Sequence, residues 1–177
     1  FKTGNLLFVH PGAHLAGYDQ SRSRQFSEDL AARLDGSPGV QAVTKVHLPP
    51  RGMTLSLKRE DGRGVITWYH QIAPNYFDAV GIPIVRGRGI TEGESRAGAA
   101  VVVVTEATAR QLWPDQEPVG KNVLVPFPPT SGTNSGEWIL TSHQVVGVAR
   151  DALALMAPNA ESEPLFMFAP LPPRLPV

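Results

Sequence analysis

Short apolar runs, separated by glycine- and proline-rich punctuation, dominate the hydrophobic pattern of this chain. Leu6–Val9 is one such run and reads as a strand. The segment Asp19–Asp35 differs: Phe26, Leu30 and Leu34 recur every four residues, which puts them on one stripe of a helix. Asp19, Ser21 or Ser23 can cap its start, and Gly36, Ser37 and Pro38 stop it. Val40, Ala42, Val43 and Val46 then suggest a returning strand, so the opening portion predicts a strand-helix-strand unit.

Leu48-Pro-Pro-Arg-Gly52 is punctuation and a candidate lobe boundary. Beyond it, Leu55, Leu57 and Val65–Tyr69 predict two strands around the turn Glu60–Gly64. Pro74–Val80 fits a short helix ending at Gly81, with Tyr76, Phe77 and Val80 on one face. Ile82–Val85 reads as a strand closed by Gly87. Val101–Val104 is apolar at every position, as in a strand buried on both faces. Glu106–Trp113 predicts a helix with Thr105 as N-cap and Pro114 after its end. Val123–Val125, Trp138–Leu140, Val145–Val148 and Leu165–Phe168 complete the strands. Pro126–Gly136 is a loop rich in Pro, Ser, Thr and Gly. The order of elements predicts an α+β fold of two lobes rather than a regularly alternating doubly wound sheet.

Composition narrows the function classes. The chain has 177 residues with 42% hydrophobic and 18% charged content, enough to bury a core without a disulfide or metal staple. The formal net charge is zero and no Lys/Arg run occurs, which argues against nucleic-acid binding or a polybasic membrane patch. The absence of cysteine excludes a thiolate zinc site and a cysteine nucleophile. Ala99–Val104, the longest aliphatic stretch, is far too short to span a bilayer. The chain opens on Phe1 with no signal-peptide pattern and stops soon after a strand-like run. It therefore reads as a piece of something longer.

Candidate chemistry is sparse. His10 and His14 have the spacing of a helical metal pair, but Pro11 and Gly12 lie between them and no third ligand is near in sequence. Gly87-Arg-Gly89 lacks the third glycine and following helix of a dinucleotide site, and Ile90–Glu94 does not read as a helix start. A turn needing positive φ is the better reading. Glu92, Glu94 and Glu106 could be proposed as a carboxylate pair for glycoside hydrolysis, yet nothing positions them around a cleft. Thr130–Gly136 does not form a nucleophile elbow. Trp68, Trp113 and Trp138 sit in apolar segments far apart, and Trp113 extends the Ala109–Leu112 helix face, so core packing outweighs a glycan platform. Arg86 and Glu106 flank predicted buried strands, where a charge more often joins a structural ion pair than a site. No catalytic, cofactor or metal residue is assigned.

Five phrases in order carry more information than any of these. They are Pro74-Asn-Tyr-Phe77, then Gly81–Arg88, then Val101–Pro114, then Glu117-Pro-Val-Gly-Lys121, then Val145–Val148 with Asp151. Upstream, Ser37-Pro-Gly-Val40 follows the first helix. Together they resemble the MacB-like periplasmic core domain found in FtsX-type permeases of ABC transporters. Thr105 departs from the family's usual asparagine, a conservative cap exchange. The chain also ends before the family's last strand-helix-strand portion.

The resemblance implies a non-catalytic bacterial domain held between transmembrane helices on the periplasmic face of the inner membrane. A strand-helix-strand (porter-like) lobe would span residues 1–48, an inserted mostly-β lobe 49–143, and return strands to the first lobe 144–177. It implies an ATP-binding subunit or domain elsewhere in the transporter, a second permease copy, a periplasmic partner protein, and no cofactor. Loops 126–136 and 91–98 are the expected contact surfaces. The competing expectations are a free-standing extracytoplasmic ligand-binding module and a small hydrolase.

Overall fold

A computed structural model describes residues 5–12, 17–47, 54–127, 139–151 and 165–171. The elements run α1 (Gln20–Asp35), β1 (Val46–His47), β2 (Thr54–Lys58), β3 (Gly64–Ile72) and α2 (Tyr76–Val80). They continue as β4 (Ile84–Gly87), α3 (Glu92–Ala97), β5 (Val101–Thr105), α4 (Glu106–Leu112), β6 (Asn122–Phe127), β7 (Ile139–Ala149) and β8 (Phe166–Pro170). The content is α+β, as the pattern of runs predicts.

Pairing closes the strands into a circuit. β3 pairs with β2, β2 with β6, β6 with β7, β7 with β5, β5 with β8, and β8 returns to β3. The β2–β6 seam is the weakest, with Lys58 opposite Leu124 as its registered pair. Closure removes most exposed edges, which otherwise invite pairing with other chains. β1 branches from β3, and β4 branches from β7.

Strand alternation sorts the apolar side chains into two cores. All six strands of the circuit contribute to the first, through Leu55, Leu57, Tyr69, Val102, Val104, Val123, Val125, Val145, Val148, Met167 and Ala169. Ala109, Leu112 and Trp113 of the α4 region join them. This is the interior of the circuit. Arg59 anchors the end of α4 by donating from Nη1 to the Leu112 carbonyl at 2.7 Å. The second core lies on the opposite faces of the same strands: Val101, Val103, Phe166 and Phe168 meet Tyr76, Phe77 and Val80 of α2. β5 and β8 are thus buried on both faces, which is why every residue in them is buried.

Several sequence expectations hold. α2 ends at Gly81 with φ 69°, and its three apolar residues are all buried. The turn at 59–63 is closed by Arg59 N–H donating to the Arg63 carbonyl. Asp19 caps α1, accepting from the backbone N–H of Arg22 at 2.8 Å.

Others need correction. Leu6–Val9 forms no strand: Leu6 packs on the second core, while Leu7 is 87% exposed. Of the expected returning strand only Val46–His47 pairs. Trp138–Leu140 and Val145–Val148 are not separate. Residues from Ile139 onward belong to one strand, because the polar stretch Thr141–Gln144 pairs along β6; Trp138 itself lies outside the described residues. β7 runs unbroken through 143/144, and β7 and β8 together pair with β3, β4, β5 and β6.

Candidate functional site

Among the polar side chains that the sequence offers as chemistry, one is firmly committed to the protein's own structure. This is Glu94. It receives a fork of two hydrogen bonds from Arg88, at 2.8 and 2.7 Å, and one from the Thr91 backbone N–H at 2.9 Å. Thr91 Oγ1 in turn accepts from the Glu94 backbone N–H, which completes a capping box. The Arg88 guanidinium, more than any other neighbour, holds the Glu94 carboxyl at about 2, with the Thr91 groups adding to it. Residues 91–98 are therefore not a loop. The expectation that Ile90–Glu94 is no helix start is wrong, because Thr91 and Glu94 form an N-terminal signature that the glycine at 93 obscures.

A second cluster fixes the start of α4. Thr105 is the N-cap, but its hydroxyl does not cap the helix. It lies 3.0 Å from the Thr108 hydroxyl, and Thr108 Oγ1 donates to the Phe166 carbonyl at 3.1 Å. The capping role passes to Asp151, whose carboxylate accepts from the Ala107 N–H at 2.8 Å and from Arg110 at 3.1 Å. Buried hydroxyls and an acceptor at a helix N-terminus satisfy groups that would otherwise be costly. The cluster ties β5, α4, β7 and β8 together.

The remaining candidates separate. His10 is exposed and His14 lies outside the described residues. Among the described residues no group of three His, Asp or Glu side chains is placed to hold a metal. Gly87 takes φ 65°, as a turn glycine should. Glu92 is exposed on α3, and Glu106 starts α4. Trp113 is a core residue, 3% exposed, and Trp68 packs against the second core. Arg86 is exposed; the ion pairs among the described residues are Arg59–Asp61, Arg88–Glu94 and Arg110–Asp151. Residues 128–136 of the expected contact loop lie outside the described residues.

One group escaped sequence reasoning. His70, on β3, is 5% exposed between the rings of Phe166 and Phe168, at centroid distances of 5.4 and 5.8 Å. Its Nδ1 has no hydrogen-bond partner. Burial pushes the imidazole down to about 4. In the unfolded chain it would titrate near 6.5. The unfolded state therefore binds a proton that the folded state refuses, and stability falls as pH drops through the window from about 6.5 to about 4. Between pH 7.5 and 5 this one group should cost about 2 kcal/mol. Urea unfolding of the parent and of His70→Phe at both pH values isolates it, because His47 and His143, also lowered by burial, are common to both proteins. Equal pH dependence in the two would refute the assignment.

The geometry defines a closed-sheet α+β domain in which the Arg88–Thr91–Glu94 and Thr105–Thr108–Asp151 clusters secure the starts of two helices. The chain belongs to the MacB-like periplasmic core domain family, which it matches over residues 1–170. Two curated relatives are the macrolide export ATP-binding/permease proteins MacB of Neisseria meningitidis serogroups A and B. Each is 24% identical over 120 residues, covering 68% of this chain and 18% of the relative. The chain thus spans less than a fifth of their length. Among solved structures it resembles the periplasmic region of MacB from Actinobacillus actinomycetemcomitans, with a TM-score of 0.56 and 20% identity over 81% of this chain and 54% of that one. It also resembles the extracellular domain of the noncanonic ABC-type transporter YknZ from Gram-positive bacteria, with a TM-score of 0.54 and 17% identity over 81% and 62%. At these identities the structures establish the shared fold. No helix among the described residues is long and apolar enough to cross a membrane.

Proposed function

We propose that this chain is the extracytoplasmic module of a MacB-like ABC permease. It couples ATP hydrolysis on the cytoplasmic side to the engagement of a substrate or partner protein outside the membrane. The observation that carries this reading is the family match over 170 of 177 residues. The closed circuit and its two cores suit it, because a rigid body passes on a displacement that a loose one would absorb. The module needs no chemistry of its own. In the two curated relatives the ATP-binding and permease functions share one name, and the parent protein here carries or recruits the same pair, working as two permease copies. Transmembrane helices anchor it to the inner membrane.

The chain has no cysteine, so Glu60→Cys in the β2–β3 turn introduces a single reporter thiol into it. In the full-length transporter, in spheroplasts, a membrane-impermeant maleimide should label that thiol without lysis, at a rate that changes when ATP turnover is blocked. Labelling only after lysis would overturn the location. A rate indifferent to turnover would overturn the coupling.

A further inference from the structure

α1 buries none of its described side chains, so no core fixes its placement. Two stretches of chain lead from it toward the sheet. One carries Leu6 onto the second core. The other is the segment from Gly36 to Lys45, which enters β1. Along this second path the backbone ladder between β1 and β3 pairs Val46 with Ile72 and continues one step further, with the Ala73 N–H donating to the Lys45 carbonyl at 2.9 Å. There it must stop, because residues 74–80 turn away into α2.

Asn75 carries the pattern on. Its Nδ2 donates to the Val43 carbonyl at 2.9 Å, and its Oδ1 accepts from the Thr44 hydroxyl at 2.9 Å. A primary carboxamide offers the same donor and acceptor as a peptide group, so the side chain substitutes for the missing strand residue. Asn75 is also the N-cap of α2, a position where asparagine ordinarily accepts from the helix backbone, yet here it makes no capping bond. Both polar atoms of the amide are committed to residues 31 and 32 positions away in sequence. Its carbonyl still accepts from the Ala79 N–H, so α2 is intact.

We infer that Asn75 is a clasp that sets the orientation of α1 relative to the closed sheet. It makes the segment before β1 a fixed strut rather than a free linker. The inference rests on the transporter reading only for its consequence, which is that motion passes between α1 and the sheet through this point. Asn75 is exposed, so its removal leaves both cores untouched.

In the full-length transporter, nitroxide labels at Glu28 on α1 and Glu60 in the β2–β3 turn report the relative orientation by pulsed dipolar spectroscopy. With Asn75→Ala the distance distribution should roughly double in width, and exchange of the Ala73 amide should rise about fivefold. Thr44→Val removes one of the two bonds without touching α2 and should give a smaller change in the same direction. Unchanged width in Asn75→Ala overturns the clasp, and so does broadening by Asn75→Ala with none at all in Thr44→Val. Neither result bears on outside labelling at Glu60, and loss of that labelling with the broadening retained would sink the transporter reading alone.

Discussion

Gly147→Ala should destabilise the protein by about 3 kcal/mol or more, a large part of the ~5–15 kcal/mol that holds a typical domain together. Gly147 pairs with Gly87 where β4 joins β7. A Cβ at 147 would run into the Arg88 carbonyl oxygen, with the Arg88 carbonyl carbon at 3.0 Å and its nitrogen at 3.2 Å. All three are backbone atoms and cannot rotate away. Gly87 faces the reciprocal constraint: its Cβ would strike the Val146 carbonyl oxygen, and its φ of 65° is in the left-handed region. The Arg88 N–H donates to that same Val146 carbonyl at 3.0 Å, so relieving the clash would break the ladder. Gly93→Ala is the matched control. It sits in α3 with ordinary φ and open space around its Cβ position, and should be neutral or slightly stabilising. Urea unfolding followed by tryptophan fluorescence measures both variants against the parent. A Gly147→Ala protein within ~1 kcal/mol of the parent would contradict the close approach.

Phe168→Ala should cost about 3–5 kcal/mol. The ring lies among Phe77 at 5.1 Å, His70 at 5.8 Å, Tyr76 at 5.9 Å and Phe166 at 6.1 Å, measured between centroids. Removing it leaves a hole bounded by β3, α2 and β8, which the backbone of a doubly buried strand cannot collapse to fill. Phe168→Leu keeps much of the volume and should lose far less, about 1 kcal/mol. The comparison separates packing from any effect on strand pairing, because both substitutions leave the β5–β8 and β3–β8 ladders in place. Similar losses for Ala and Leu in chemical denaturation would show that the aromatic cluster is not what the second core depends on.

The elements that sequence reasoning identified are those whose signal is local. Val101–Val104 announces a doubly buried strand by being apolar throughout, and β5 is that strand. Tyr76, Phe77 and Val80 are one helical face closed by a glycine, and α2 has that form. The two misread strands share one physical cause. Leu6–Val9 is apolar enough for a strand, but a strand needs a partner, and Leu7 and Phe8 are exposed. Thr141–Gln144 is polar on both faces and carries no period, so its strand exists only because β6 lies beside it. α3 differs: its Thr91–Glu94 capping box is a local signal, but a glycine inside a six-residue helix masks the periodicity that would go with it.

The same division holds for the site. The ordered phrases identified the family from the sequence, and the comparison over residues 1–170 agrees. None of those phrases announced His70 or the task of Asn75. A histidine inside the run Val65–Ile72 looks like any strand residue until β8 sets Phe166 and Phe168 against it. An asparagine ahead of a short helix looks like a cap until the returning chain brings Val43 and Thr44 within reach.

By itself, then, the sequence determined α1, α2, α4 and the buried strand β5, the absence of cysteine chemistry and the family, because propensity, capping and motif order act over a few residues. Tertiary structure alone decided the closure of the sheet and the Gly87–Gly147 contact. It also decided the burial of His70 and the diversion of Asn75 from its helix. Each of these joins groups far apart in sequence, and no local pattern encodes which distant backbone will arrive beside them.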